Sequence, residues 1–240
     1  MRLLRMVQRQ GLELPVLALA VASVISTGLV LFRVFTTRSI EHAYLAWNLF
    51  LAWLPLVFAL LAAERMRVLA AGHAPLLRDR RLVGLGMAWL LFFPNAPYIF
   101  TDIVHVRAGW AHAFWVDLML ILLCALTGFF SGFLSLQILH QWVTRLWGRQ
   151  AGWWFIAAAS GLAGFGVYLG RFVRLNSWNI LTHPVRVAEG TSRGVWHLVT
   201  EWNHAKFVVL FSVFLLLGYG MLFALTHPRR EPWSGRGELD

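Results

Sequence analysis

Two short stretches of the chain carry side chains that could form ion pairs, bind an anion or hold a metal. The first, FFPNAPYIFTDIVHV, begins at Phe92 and places polar and ionisable residues among and after two prolines, namely Asn95, Tyr98, Thr101, Asp102 and His105. The second, GRFVRLNSW, begins at Gly170 and contains Arg171, Arg174, Asn176 and Trp178. A single acid, Asp117, stands in another apolar segment. These residue types allow three chemistries: structural ion pairing, anion binding, and acid–base or metal chemistry.

The composition identifies the solvent around most of the chain. Hydrophobic residues make up 59% of the sequence and charged residues only 13%, and the mean hydropathy is +0.64, above the usual values for a soluble domain. A helix that crosses the hydrocarbon layer needs about 20 apolar residues. The sequence therefore predicts an all-α polytopic membrane helix bundle with about six transmembrane helices, at residues 14–32, 43–63, 82–100, 112–138, 152–172 and 207–225. Residues 1–240 form one integral membrane domain, with a disordered tail at 227–240.

The basic residues predict the topology of this bundle. The chain has 21 Lys and Arg against 11 Asp and Glu. Assigning the basic residues to alternate loops puts 13 on the side of both termini and 8 on the other. The richer side is expected to be cytoplasmic. Because topology accounts for the net charge of +10, the lipid bilayer is the predicted partner and no nucleic acid is expected.

Pro94 and Pro97 interrupt the third predicted span before it leaves the membrane. If that span starts near Leu82 at the cytoplasmic surface, Pro94 lies roughly 18 Å higher. Proline removes a backbone donor and clashes with the preceding turn, which the membrane tolerates only where protein or trapped water surrounds the break. The polar residues after Pro94 are therefore expected to face the bundle interior. The alternative is a plain helix stop with Asn95 as a local cap.

Three other spans place polar residues at the same depth. Asp117 lies about five residues below the start of the fourth span. Arg171 is about 28 Å up the fifth span, and Arg174 lies one turn further on the same face. Asn48 in the second span belongs to the same layer. This convergence predicts a polar cluster in the outer half of the bundle.

Two features concern packing and the surface. Apolar residues recur at i, i+3, i+4 and i+7 from Val195 to Trp202, which predicts either an interfacial helix or a short helix folded back over the bundle. Four glycines form small-xxx-small faces in the fourth and fifth spans: Gly128, Gly132, Gly166 and Gly170. Such faces allow close helix packing within the chain, or a homo-oligomer.

The motifs WLLFFPNAPYIFTDIVHV, WVDLML and YLGRFVRLNSWNILTHP follow one another in the chain. Together they resemble a family of bacterial multi-pass membrane proteins classed as a domain of unknown function. The resemblance runs from about Tyr44 to Leu225, and it implies an integral protein of a bacterial inner membrane without supplying an activity. Members of that family often carry an acid after NSW, where this chain has Asn179.

Two non-enzymatic functions fit the polar cluster. In the structural interpretation, Asp102 and Asp117 pair with Arg171 and Arg174 and lock three spans of a membrane component together. In the binding interpretation, the two arginines present forked donors to an anionic lipid headgroup or another small anion, for binding or for transport.

An enzymatic function is the third interpretation. Asp102 and His105 lie at i, i+3 and, with Asp117, could hold a divalent metal or act as a base and its orienting carboxylate. A DxxH pair is common by chance, and no serine elbow, P-loop or HExxH sequence strengthens it or indicates a cofactor. The single cysteine, Cys124, excludes disulfides and cysteine metal sites.

Overall fold

The structure, a computed structural model, describes residues 2–40, 42–73, 75–105, 111–177 and 179–226. The regular elements in this part of the chain are all helices. The α-helices are α1 (Arg2–Arg9), α2 (Glu13–Thr37), α3 (Ala43–Ala71), α4 (Arg80–Phe92), α5 (Asn95–Tyr98), α6 (Ala111–Tyr168), α7 (Asn179–Thr182), α8 (Pro184–Thr200) and α9 (Trp202–Thr226). They are joined by 3-10 helices at Leu76–Arg78 and Ile99–His105 and by a π-helical turn at Leu169–Val173. The tail predicted at 227–240 lies outside the described residues.

Five helical stretches are long and apolar enough to cross a membrane, and the longest runs from Phe114 to Val173. Gly148 interrupts this stretch with φ 87 and ψ 168, a conformation that glycine adopts without a Cβ penalty. The chain reverses there, since the rings of His140 and Trp153 lie 5.2 Å apart on either side of the break. The stretch therefore makes two passes, α6a (111–147) and α6b (149–168). The predicted all-α polytopic membrane helix bundle is confirmed.

The six passes alternate in direction between two ends of the bundle. We call one the hairpin end, because Gly148 joins α6a to α6b there, and the other the cavity end, where Asp102 lies close to Arg171. The first described helix, α1, lies at the hairpin end because Arg9 bonds Glu64 there at 2.8 Å, and α9 finishes at the same end. Helix α3 crosses the middle of the bundle, with many buried residues along its length.

The four glycines of the small-xxx-small faces meet atoms of the same chain. A Cβ at Gly166 would lie 2.5 Å from Pro94 Cγ, and one at Gly132 would lie 2.6 Å from the Ala96 Cβ. Gly128 also faces Ala96, whose carbonyl oxygen would be 2.9 Å from an added Cβ. These glycines therefore serve packing within the chain, and a homo-oligomer stays a prediction that would need another face.

Helix α8 is the extramembrane helix expected between the fifth and sixth spans. Its buried residues are Gly190 and Gly194, which pack against the side chains of Leu175 and Leu169. Large apolar side chains on the rest of its surface are exposed, including Val185, Val195, Trp196 and Val199. The helix is thus folded back over the bundle through a face of small residues, while its outer side is apolar enough for a membrane interface.

Candidate functional site

The proline segment is sealed by side chains from both candidate stretches. Helix α4 ends at Phe92, and the chain passes through Pro94 (φ −60, ψ −23) into the next helical turn. The Ser177 hydroxyl donates to the Leu91 carbonyl, and the Asn95 amide nitrogen donates to the Phe92 carbonyl, both at 3.0 Å. Asn95 also donates to the Ser177 hydroxyl at 3.0 Å. Protein groups thus bond the backbone around the break, as a membrane interior requires.

A π-helical turn at the end of α6b positions the two arginines. The turn, Leu169–Val173, is followed by Arg174 in the left-handed conformation, with φ 60 and ψ 40. The Leu175 N–H donates to the Leu169 carbonyl at 3.1 Å and closes the turn. π-Helical turns are frequent at functional sites, and a left-handed non-glycine residue costs on the order of 1–3 kcal/mol. The surrounding structure therefore holds Arg174 in a conformation that it would not adopt alone.

Asp102 is the most buried ionisable group at the cavity end, with 2% of its side chain exposed. It accepts from Arg171 Nη1 at 3.2 Å and from the Asn48 amide nitrogen at 3.2 Å. Arg171 Nη2 also donates to the Thr101 carbonyl at 2.7 Å. A buried carboxylate is thereby met by a guanidinium group and an amide from two other passes. This network ties α3 and the end of α6b to the 3-10 helix.

Two chambers open beside this network. The polar chamber, with a volume of about 530 Å³, is lined by Tyr44, Asn48, Tyr98, Asp102, Gly170, Arg171, Arg174 and Asn176. A smaller side chamber of about 120 Å³ shares Asn48, Tyr98, Gly170 and Asn176 with it. Apolar residues close much of the side chamber, including Leu51, Leu91, Leu169, Leu175 and Val187. The polar chamber brings both predicted arginines together with Asp102.

Asp117 lies in a different ion pair from the one that the sequence indicated. Its carboxylate accepts from Arg33 Nε at 2.6 Å and from Arg33 Nη2 at 3.0 Å, and His42 Nε2 lies 3.7 Å from it. The expected pairing of Asp117 with Arg171 or Arg174 is therefore wrong. The depth of Asp117 was right, but its position around the helix turns it toward α2. This pair joins α2 to α6a at the cavity end.

The other predicted site residues divide into three groups. Tyr98 and Asn176 line both chambers. The Thr101 hydroxyl donates to the Tyr98 carbonyl of its own turn at 2.7 Å and so contributes only its carbonyl to Arg171. The side chain of His105 and the whole of Trp178 fall outside the described residues.

The metal interpretation gains no support from the part of the chain that the structure describes. No group of three or more His, Cys, Asp or Glu side chains in it is arranged to hold a metal ion. The two weak metal candidates whose side chains are described, Asp102 and Asp117, lie in separate networks with Arg171 and Arg33.

A polar pair at the hairpin end was missed by the sequence reasoning. His140 is 4% exposed, and its Nδ1 lies 2.8 Å from the Tyr219 hydroxyl. Residues 140–151 were assigned to a loop, whereas α6a continues as far as the break at Gly148. The signal was present in the sequence, because residues 133–147 contain neither glycine nor proline.

A family model described as "Protein of unknown function (DUF1361)" matches residues 47–217 of this chain. None of the curated proteins and none of the solved structures compared with it matches. The resemblance to a family classed as a domain of unknown function is thus confirmed. The matched region contains Asp102, Asp117, Arg171 and Arg174, and so it includes both chambers' arginines and the acids at the cavity end. Because the match covers well over half of the 240 residues, the chain belongs to the DUF1361 family.

Proposed function

We propose that the polar chamber binds an anionic group, either the headgroup of an anionic lipid or a small anion with phosphate or carboxylate chemistry. The Asp102–Arg171 pair builds the chamber wall, and Arg174 supplies the charge that the ligand meets. The Arg33–Asp117 pair is structural in this proposal. The protein is then a non-enzymatic membrane component that holds or passes on an anion.

The charge balance of the chamber carries this proposal. The charged side chains among its described lining residues are Asp102, Arg171 and Arg174, which leaves one net positive charge. Asp102 and Arg171 neutralise one another at 3.2 Å, while no described acid pairs with Arg174. A guanidinium group presents several N–H donors in a fixed plane that matches a phosphate or carboxylate. An exposed arginine held in a strained conformation beside a polar chamber suits a ligand of that chemistry.

Titration of the purified protein with inorganic phosphate and with acetate tests the proposal. Arg174→Gln should weaken binding by about tenfold or more, since a hydrogen bond to a charged group is worth roughly 1.5–3 kcal/mol. Arg186→Gln is the matched control, because Arg186 is an exposed arginine on α8 that lines neither chamber. Arg174→Lys should also weaken binding, since an ammonium group does not reproduce the fork. Equal titration curves for wild type and Arg174→Gln with both anions would contradict the proposal.

We further propose that the protein lies in a bacterial inner membrane with both termini in the cytoplasm, so that the polar chamber faces the periplasm. The excess of basic residues on the side of the termini supports this orientation. So does the position of α1 and of the end of α9 at the same end of the bundle.

Reporter fusions test the orientation. A periplasmic reporter inserted after Gly190 should be active, whereas reporters after Gly72 and Asp240 should be silent. The reverse pattern would put the polar chamber on the cytoplasmic side.

A further inference from the structure

The two chambers at the cavity end differ in chemistry although they share four lining residues. The polar chamber contains all three charged side chains, whereas the side chamber is lined by none. Leucine, valine and proline side chains form much of the side chamber wall, and its amides and hydroxyls at Asn95 and Ser177 already bond the α4 backbone and one another. A ligand that reaches from one chamber into the other would therefore meet charge first and hydrocarbon second.

Helix α8 closes the side chamber from outside. Val187 and Thr191, one turn apart on α8, both line it. Gly190 and Gly194 bring the helix close enough to seal it, because a Cβ at Gly194 would lie 2.7 Å from Leu169 Cδ2 and one at Gly190 would lie 2.9 Å from Leu175 Cδ1. The side chamber is therefore a covered space with an apolar wall, and not merely a crevice between lipid-facing helices.

From this arrangement we infer that the ligand is an amphiphilic anion, with its charged group at Arg174 in the polar chamber and an apolar group in the side chamber. The inference rests on the proposed function and adds the class of ligand to it. A bare phosphate would use only the polar chamber and would leave the covered apolar space unfilled. The volume of about 120 Å³ suits a short hydrocarbon segment and not a whole acyl chain.

A series of alkyl phosphates measures the contribution of the side chamber. Inorganic phosphate, butyl phosphate and hexyl phosphate are titrated into the protein in nanodiscs of a zwitterionic lipid. Burial of one methylene is worth about 0.8 kcal/mol, or about fourfold in affinity, so affinity should rise by about that factor per methylene until the side chamber is full. Val187→Phe, which fills the chamber, should abolish the rise and leave inorganic phosphate binding unchanged.

Val185→Phe is the matched control for the aromatic substitution. Val185 lies on the same helix and is 69% exposed, so this variant adds the same apolar surface outside the chamber and should keep the gradient. Partition of the longer alkyl phosphates into the nanodisc is common to wild type and Val187→Phe, and it cancels when the two are compared.

The outcomes separate the two proposals. A gradient in wild type that is lost in Val187→Phe and kept in Val185→Phe supports the amphiphilic ligand. Equal affinity for all three phosphates, with loss of binding in Arg174→Gln, would overturn the amphiphilic ligand and leave the anion site intact. If no phosphate of the series binds wild type more tightly than Arg174→Gln, the proposed function itself fails. Long-chain anionic lipid in the nanodisc that displaces hexyl phosphate would identify a lipid as the source of the headgroup.

Discussion

The two ends of the bundle use ion pairs in opposite ways. At the hairpin end, Arg9 and Arg67 both bond Glu64, and about half of each arginine side chain is exposed. At the cavity end, Arg171 meets Asp102 with 15% and 2% of the side chains exposed. The pairs at the hairpin end have water as an alternative partner, whereas Asp102 has almost none.

This difference indicates what each end is for. Exposed ion pairs contribute little to stability, typically about 0–1 kcal/mol, so the hairpin end can lose one without much effect. A buried pair costs several kcal/mol in desolvation and gains little over an apolar core. A buried pair at the wall of a polar chamber is therefore better explained by a ligand site than by stability alone. The comparison predicts that substitutions lose their effect from the cavity end toward the hairpin end.

The largest effect is expected for Asp102→Asn. It leaves the guanidinium group of Arg171 without its carboxylate in a buried site, which should lower the free energy of unfolding by about 3–5 kcal/mol. Unfolding by denaturant in detergent micelles measures the loss. Adding Arg171→Gln should recover part of it, because the two groups are coupled. Strictly additive losses in the double variant would break the contrast between the two ends.

A smaller loss is expected for Asp117→Asn, because about a fifth of each side chain in this pair is exposed. Removal of the two Arg33 bonds should cost about 1–3 kcal/mol in unfolding free energy. The loss should be recovered in part by Arg33→Gln and not by Arg171→Gln. Recovery by Arg171→Gln would restore the pairing that the sequence indicated and contradict the structure.

The smallest effect is expected at the hairpin end, where Asp79 caps α4. Its carboxylate accepts from the Leu82 N–H at 2.8 Å and from Arg65 Nε at 3.1 Å. The Arg65 guanidinium, and next the Leu82 amide, lower the pKa of Asp79 from 3.8 to about 2. Because the pKa of the folded state is the lower one, the carboxylate stabilises the fold above about pH 4 and loses this effect as the pH falls toward 2.

Melting temperatures of wild type and Asp79→Asn between pH 7 and pH 2 check this expectation. Wild type should melt slightly higher at neutral pH, and the difference should close between about pH 4 and pH 2. A difference that stayed constant down to pH 2 would show that the charge of Asp79 is not its source.

The sequence predicted much of the fold and part of the site, for physical reasons that differ between residues. Hydropathy located the passes because lipid permits few polar residues in a span. The contact of Asp102 with Arg171 followed from depth, since both residues lie near one end of their spans. Depth does not determine the direction in which a side chain leaves its helix, and for this reason Arg33 was missed as the partner of Asp117. The chambers depend on how α8 folds back through Gly190 and Gly194, which no local pattern specifies.

The π-helical turn at Leu169–Val173 makes this region sensitive to chain length as well as to side-chain identity. Such a turn holds one residue more than an α-helical turn, and each residue advances an α-helix by roughly 100°. Deleting one residue there would remove the surplus and rotate everything that follows, so that Arg174 and the start of α8 would leave the chamber together. Point substitutions change this site one side chain at a time, while an insertion or deletion in the turn would change its register as a whole.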